Sequence, residues 1–185
     1  MESHTPNAEA LEKRRLELIQ IINDAFDGVS REGGVSRREA RVLDDCGSDQ
    51  ERAAARALDT ESRWQDVPLV DLQGDTICSF LDPLGFRCYA PVFMTFKLIQ
   101  LGPNRDPTLL TNEDIMFHFS PSDDGRSDDW RRDKFRHFTP VQGGAVRNYL
   151  EFVRDYNRET DWEFGAEGAQ KAPSTGTGAS SNDPD

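Results

Sequence analysis

No apolar run in this chain approaches the ~20 residues that a membrane-spanning helix requires. The N-terminal stretch MESHTPNAEALEKRR holds no apolar core of the signal-peptide kind. Cysteine is scarce. Cys46, Cys78 and Cys88 make an odd count of three, which without an export signal reads as reduced thiols in a cytoplasmic protein rather than a disulfide framework. Basic charge is also short, with 22 Lys and Arg against 34 Asp and Glu and a formal net charge of −12. That deficit argues against a binder of the nucleic-acid backbone, which needs basic surface. Lysine is rarer still. Lys13, Lys97, Lys134 and Lys171 are the only four, and so strong a bias to arginine suggests a GC-rich bacterial genome. Neither a Gly-x-Gly-x-x-Gly turn nor a Walker loop is present to cradle a phosphate.

A length of 185 residues fits one domain with a modest core. From Gly165 onward there is no aromatic residue and no Leu, Ile or Val, so the segment cannot offset its ordering entropy. Residues 161–185 are expected to form a disordered acidic tail, residues 1–6 a frayed terminus, and residues 7–160 the folded domain. Beyond Thr160, five carboxylates (Asp161, Glu163, Glu167, Asp183 and Asp185) oppose Lys171, so the tail carries −4 and the rest −8. No internal repeat is present.

Hydrophobic spacing predicts an all-α fold, an irregular helical bundle of five to seven helices. Leu11, Leu18, Ile22, Ala25 and Val29 make one helical face, widened by Ile19 and Phe26. Thr5 or Asn7 is placed to cap this helix, and Glu12, Arg15 and Gln20 fall on its opposite face. After Gly33-Gly34, Ser36 and Glu39 have capping-box spacing for a short helix to about Asp44. Asp49 is the expected cap of a third helix through the run AAARALD.

The apolar centre runs from Trp64 to Gly102. Its Asp82-Pro83-Leu84-Gly85 step fits either a type I turn closing a short hairpin near 76–90 or an N-cap followed by a first-turn proline. Helix is favoured, because Tyr89, Phe93, Phe96 and Gln100 follow at helical spacing. Pro91 should kink or split it. Thr111 or Asn112 is positioned to cap a short helix holding Ile115, Met116 and Phe119. Ser120 to Asp129 reads as an exposed acidic loop, after which Trp130, Phe135 and Phe138 return to the core. Thr139, Pro140 and Gln142 then start a last helix carrying Ala145, Tyr149, Phe152, Val153 and Tyr156.

The central segment SFLDPLGFRCYAPVFM resembles the motif of a bacterial family of small helical proteins of unknown function. The flanks ARALDTESRW and FRHFTPVQGGAVRNYLEF are similar to it as well, so the resemblance covers roughly residues 15–157. Cys88 and Ala90 depart from it, standing where the pattern has an aromatic residue and a leucine. The resemblance implies a mainly α-helical cytoplasmic domain and brings no activity or ligand with it.

Chemistry-bearing residues are few. Cys78, Cys88, His118 and His137 are zinc-type ligands, but their spacings of ten, thirty and nineteen contain no metal knuckle. Asp123, Asp124, Asp128 and Asp129 surround Gly125 without the alternating order of a calcium loop. Ser79 has no nucleophile elbow. His118, between Phe117 and Phe119, reads as a packed histidine, and His137 as a surface one. Gly143-Gly144 suggests a close backbone approach. Arg56, Asp59, Glu61, Arg63 and Trp64 form a polar cluster, read either as a recognition patch or as a local Arg56–Asp59 pair orienting the turn into Trp64.

No catalytic, cofactor or metal residue is therefore assigned. The leading expectation is a non-enzymatic, protein-binding or accessory domain with a basic partner. The alternatives are a small Cys/His enzyme, or a sensor with an apolar pocket near Tyr89, Phe93 and Trp130.

Overall fold

The computed structural model describes residues 5–72, 76–106, 108, 115–119 and 128–160. Among these residues there is no strand. They form α1 (Thr5–Ala25), α2 (Arg37–Asp44), α3 (Asp49–Leu58), α4 (Pro83–Gln100), α5 (Ile115–Phe119), α6 (Asp128–Lys134) and α7 (Pro140–Thr160), with three short 3-10 turns at Trp64–Asp66, Leu69–Leu72 and Ile77–Ser79. The fold is all-α, and the hairpin reading of residues 76–90 is replaced by the Ile77–Ser79 turn followed by α4.

α4 is the axis of the bundle. Eleven of its residues are buried, including Phe86, Tyr89, Phe93, Met94 and Phe96, so it is apolar on every side, as a central helix must be. α1 lies against α7 and α4, α2 pairs with α3, and α5, α6 and the 3-10 turns at Trp64–Asp66 and Leu69–Leu72 cover further sides of α4, while the Ile77–Ser79 turn packs on α2 and α5. The helix runs unbroken through Pro91. A proline inside a helix costs about 3 kcal/mol, whereas burying one large apolar side chain returns about 1.5–3 kcal/mol. Phe93 and Phe96 alone offset the cost.

Local start signals place the helices. Asp82 caps α4 with Pro83 in its first turn, and Ser36 with Glu39 forms the capping box of α2. At α7, the Thr139 N–H donates to Gln142 Oε1 at 3.0 Å and the Gln142 N–H to Thr139 Oγ1 at 3.2 Å. The third helix is capped one residue earlier than expected. Ser48 and Glu51 make a full capping box, leaving Asp49 as the first helical residue. α1 takes in Thr5, Pro6 and Asn7, so neither proposed cap stands outside it. The cap at Thr111 or Asn112, the loop at 120–127 and the tail at 161–185 lie outside the described residues; Asp128 and Asp129 belong to α6.

Arg15, which helical spacing puts on the outer face of α1, is buried. It forms a two-pronged pair with Glu12, 2.7 Å at each contact, and donates to the Leu98 carbonyl at 3.1 Å near the C-terminal end of α4. Trp130, expected in the core, is 42% exposed. Its ring shelters the buried Lys134 ammonium, 4.4 Å from the ring centroid.

Two glycines matter where backbones meet. A Cβ on Gly34 would lie 2.4 Å from the Gly85 nitrogen, and one on Gly85 would lie 2.4 Å from the Val35 carbonyl oxygen. The Gly143-Gly144 pair does not serve this purpose, since a Cβ on either would meet nothing within 4 Å. The helix there faces open space, so these glycines only weaken it. Gly144→Ala should therefore stabilise the protein by about 0.5–1 kcal/mol, while Gly34→Ala should destabilise it by about 1–3 kcal/mol. Chemical denaturation of the two variants checks this, and equal signs would refute it.

Candidate functional site

The described residues concentrate their polar chemistry between α2, α3 and the segment 59–71. Asp59, at the C-terminus of α3, is 5% exposed. Its Oδ2 accepts from the Arg38 backbone N–H at 2.7 Å, and its Oδ1 lies 3.2 Å from Arg38 Nε. Arg37, also buried, donates to the Asp71 carbonyl oxygen at 2.7 Å and to Asp71 Oδ2 at 2.8 Å, and its guanidinium stands 4.0 Å from Asp59. Arg31 donates to the Asp59 carbonyl oxygen and to the Tyr89 hydroxyl, both at 3.2 Å. That hydroxyl in turn donates to Glu61 Oε1 at 3.0 Å. Burial pushes the Tyr89 phenol above its ordinary range, which keeps it a donor.

Of these groups, Arg37, Arg38, Asp59, Glu61 and Asp71 border a cavity of about 410 Å³. Four carboxylates (Asp59, Glu61, Asp66 and Asp71) oppose two guanidiniums (Arg37 and Arg38), and the hydroxyls of Thr60 and Ser62 complete the polar lining. Leu58 and Pro68 add an apolar edge. Leu58 is 65% exposed, and Val70, between Pro68 and Asp71, is 58% exposed. The site can therefore offer hydrogen bonds, a lining richer in carboxylates than in guanidiniums, and adjacent apolar contact. Among the described residues, no group of three or more His, Cys, Asp or Glu could hold a metal ion.

The polar cluster anticipated around Arg56 is present but wired differently. Arg56 does not pair with Asp59. Its Nε lies 2.9 Å from Glu39 Oε2, and it donates to the carbonyls of Gly34 at 2.9 Å and Gly33 at 3.2 Å. A kinked junction puts Asp59 beyond the helix, where Arg38 reaches it across 21 residues of sequence. Arg63 pairs with Asp66 at 3.1 Å. Trp64 is buried, with its indole N–H donating to the Phe26 carbonyl at 3.0 Å. Arg37, Arg38 and Asp71 were not singled out from sequence, and the capping box beside the two arginines is the only local signal near them.

The other candidates are scattered. His118 is 2% exposed and ringed by Phe117, Phe86 and Trp130, with centroids 5.2, 5.9 and 5.9 Å away. His137 is exposed beside Arg136, and Ser79 is exposed on its 3-10 turn. Cys78 and Cys88 are buried, whereas Cys46 is exposed, and none of the three forms a disulfide. Tyr89 and Phe93 are core residues and Trp130 is a surface one, so these three do not share a pocket. Of the calcium candidates, Asp123, Asp124 and Gly125 lie outside the described residues, and Asp129 pairs with Arg132 on α6. No described helix is long and apolar enough to cross a membrane.

The model of a family of unknown function, DUF6714, matches residues 14–169, and the chain belongs to that family. Neither a curated protein nor a solved structure matches it.

Two predictions follow from the geometry. Burial pushes the Cys88 thiol from its ordinary 9.0 up to about 12. Native Cys46 should react rapidly with a thiol reagent, while Cys78 and Cys88 should react only as fast as the protein opens. Between pH 9 and about 12 the unfolded chain ionises Cys88 and the native chain does not, so stability falls with rising pH, and Cys88→Ala should flatten that slope. Fast native labelling of Cys88 would overturn the assignment. Separately, Asp59→Asn keeps the shape but removes the charge facing Arg37 and Arg38. It should cost about 3 kcal/mol in urea unfolding; a cost near zero would mean that the network does not hold α3.

Proposed function

We propose that this member of a family of unknown function is a non-enzymatic protein-binding module, taking a basic partner at the pocket beside Asp59. One observation carries the reading: a concave site with twice as many carboxylates as guanidiniums, flanked by the exposed side chains of Leu58 and Val70. Interfaces draw their affinity from a few apolar anchors and their selectivity and association rate from complementary charge. The chain's net charge of −12 adds steering toward a cationic partner and disfavours nucleic acid. Three cysteines outside any disulfide and the bias to arginine support a bacterial cytoplasmic setting. A Cys/His enzyme finds less support, because Cys88 is held as the neutral thiol and the buried His118 is packed among aromatic rings.

The test is affinity capture at low and high salt, with the wild-type chain and with the double variant Leu58→Ser, Val70→Ser. Both positions are solvent-exposed, so folding should survive. The expected result is one dominant basic protein, lost at high salt and retained roughly tenfold less by the variant. Equal retention by the two chains, or none by either, would remove the reading.

A further inference from the structure

The four carboxylates of the pocket beside α3 are not equivalent. Asp59 is sealed, with one oxygen on the Arg38 backbone N–H and the other facing Arg38 Nε. Asp66 spends both oxygens on Arg63, at 3.1 and 3.4 Å. Glu61 and Asp71 each have one oxygen anchored from the protein side and one left over. Glu61 Oε1 takes the Tyr89 hydroxyl at 3.0 Å, and its Oε2 takes no hydrogen bond from a described residue. Asp71 Oδ2 takes Arg37 at 2.8 Å and lies 3.6 Å from Arg38, whereas its Oδ1 likewise takes none. Neither spare oxygen is among the buried unpaired atoms, and both side chains are partly exposed, Asp71 by 33%. Asp59, Asp66 and Asp71 all pair with arginine; among the described residues Glu61 forms no ion pair.

A carboxylate oxygen accepts and cannot donate, so the guest that fits these two oxygens is a cationic donor. Thr60, exposed on the same rim, adds a hydroxyl, and the exposed Leu58 and Pro68 offer surface for an aliphatic stem. A guanidinium gains most from a fork on both oxygens of one carboxylate. Here one oxygen of each carboxylate is already occupied. An ammonium is compact, with three donors that turn freely, and bonds to single oxygens on separate groups. Tyr89 and Arg37 hold the two carboxylates in place beforehand, which cuts the ordering cost of binding.

We propose that the pocket takes a lysine side chain of the partner, its ammonium on Glu61 Oε2 and Asp71 Oδ1 and its stem along Leu58 and Pro68. The inference rests on the protein-binding reading above and narrows it. The recognised element is a lysine next to an apolar residue, which meets the exposed Val70. Glu61 supplies the attraction, because its charge is the one in the lining that no arginine pairs with.

The probes are capped tripeptides: Leu-Lys-Leu, Leu-Arg-Leu, and the first with its lysine acetylated at Nε. Each is titrated into the full-length chain at low salt and followed by two-dimensional ¹⁵N–¹H NMR at the backbone amides of Thr60, Glu61, Ser62 and Asp71. The lysine peptide should give saturable shifts there and bind roughly three- to tenfold tighter than the arginine peptide, about the preference that one charge-assisted hydrogen bond supplies. The acetylated peptide should give no saturable shift. Glu61→Gln keeps an acceptor for Tyr89, so the fold should survive, as an unchanged urea midpoint would show. This variant should bind the lysine peptide roughly tenfold more weakly. Shifts that fail to saturate or that map elsewhere would overturn the proposal. So would equal binding of the lysine and arginine peptides, saturable binding of the acetylated one, or full binding by Glu61→Gln. Affinity capture separates the two failures. A basic protein held equally by Glu61→Gln and wild type sinks the lysine contact and leaves the protein-binding reading standing, whereas no captured protein removes both.

Discussion

A single carboxylate oxygen, Asp82 Oδ1, accepts from the Gly85 N–H at 2.9 Å and from the Val35 N–H at 2.8 Å, tying together segments 47 residues apart. The first bond satisfies an orphan donor at the start of α4. The second fixes the loop that precedes α2. The two bonds are compatible only because the backbones at Gly34 and Gly85 approach without side chains between them. From this clamp the polar layer is laid out in order. The Gly33 and Gly34 carbonyls, held by the clamp, receive Arg56 and so dock α3. Ser36, the next residue but one, caps α2 and sets Arg37 and Arg38 facing Asp59 and Asp71. The acidic pocket is therefore a consequence of how α4 begins.

Signals that act within four residues were legible in the sequence. The serine–glutamate box at Ser36, the threonine–glutamine box at Thr139 and the Asp82-Pro83 start each satisfy donors in their own turn, so spacing alone identifies them. The helical faces of α1 and α7 were legible for the same reason. Their periodic residues Leu18, Ile22, Tyr149, Phe152 and Val153 are the buried ones. Even the ambiguity at residues 76–90 was a real one, since a turn and a helix start share the same Asp-Pro-x-Gly chemistry.

The site was legible only as a neighbourhood. Arg56 and Asp59 are three apart and of opposite charge, which predicts a pair, yet each has a better partner elsewhere. Glu39 and two loop carbonyls surround Arg56, and the helix ends before Asp59 can turn back toward it. An i,i+3 surface pair contributes a few tenths of a kcal/mol, too little to resist a buried alternative. Trp130 and Arg15 misled for the opposite reason. Hydrophobicity placed the first inside and charge placed the second outside. In the fold, the indole covers a buried ammonium and the guanidinium is sealed by Glu12 and the Leu98 carbonyl.

The prevalence of arginine over lysine gains a structural meaning here, beyond genome composition. Arg15, Arg31, Arg37 and Arg56 each bind a backbone carbonyl and a side-chain acceptor at the same time. A planar fork with five donors does this in one geometry, whereas a compact, strongly hydrated ammonium does not. Carbonyls bring no formal charge, so an arginine spent partly on carbonyls neutralises little more than one carboxylate. The scaffold thus consumes its cations internally: Asp66 in the pocket lining is itself paired with Arg63, and Glu61 takes the Tyr89 hydroxyl. The polar layer is therefore held by the shape of the arginine fork as much as by its charge, with Arg37 and Arg38 bridging Asp59 and Asp71 across the elements they join.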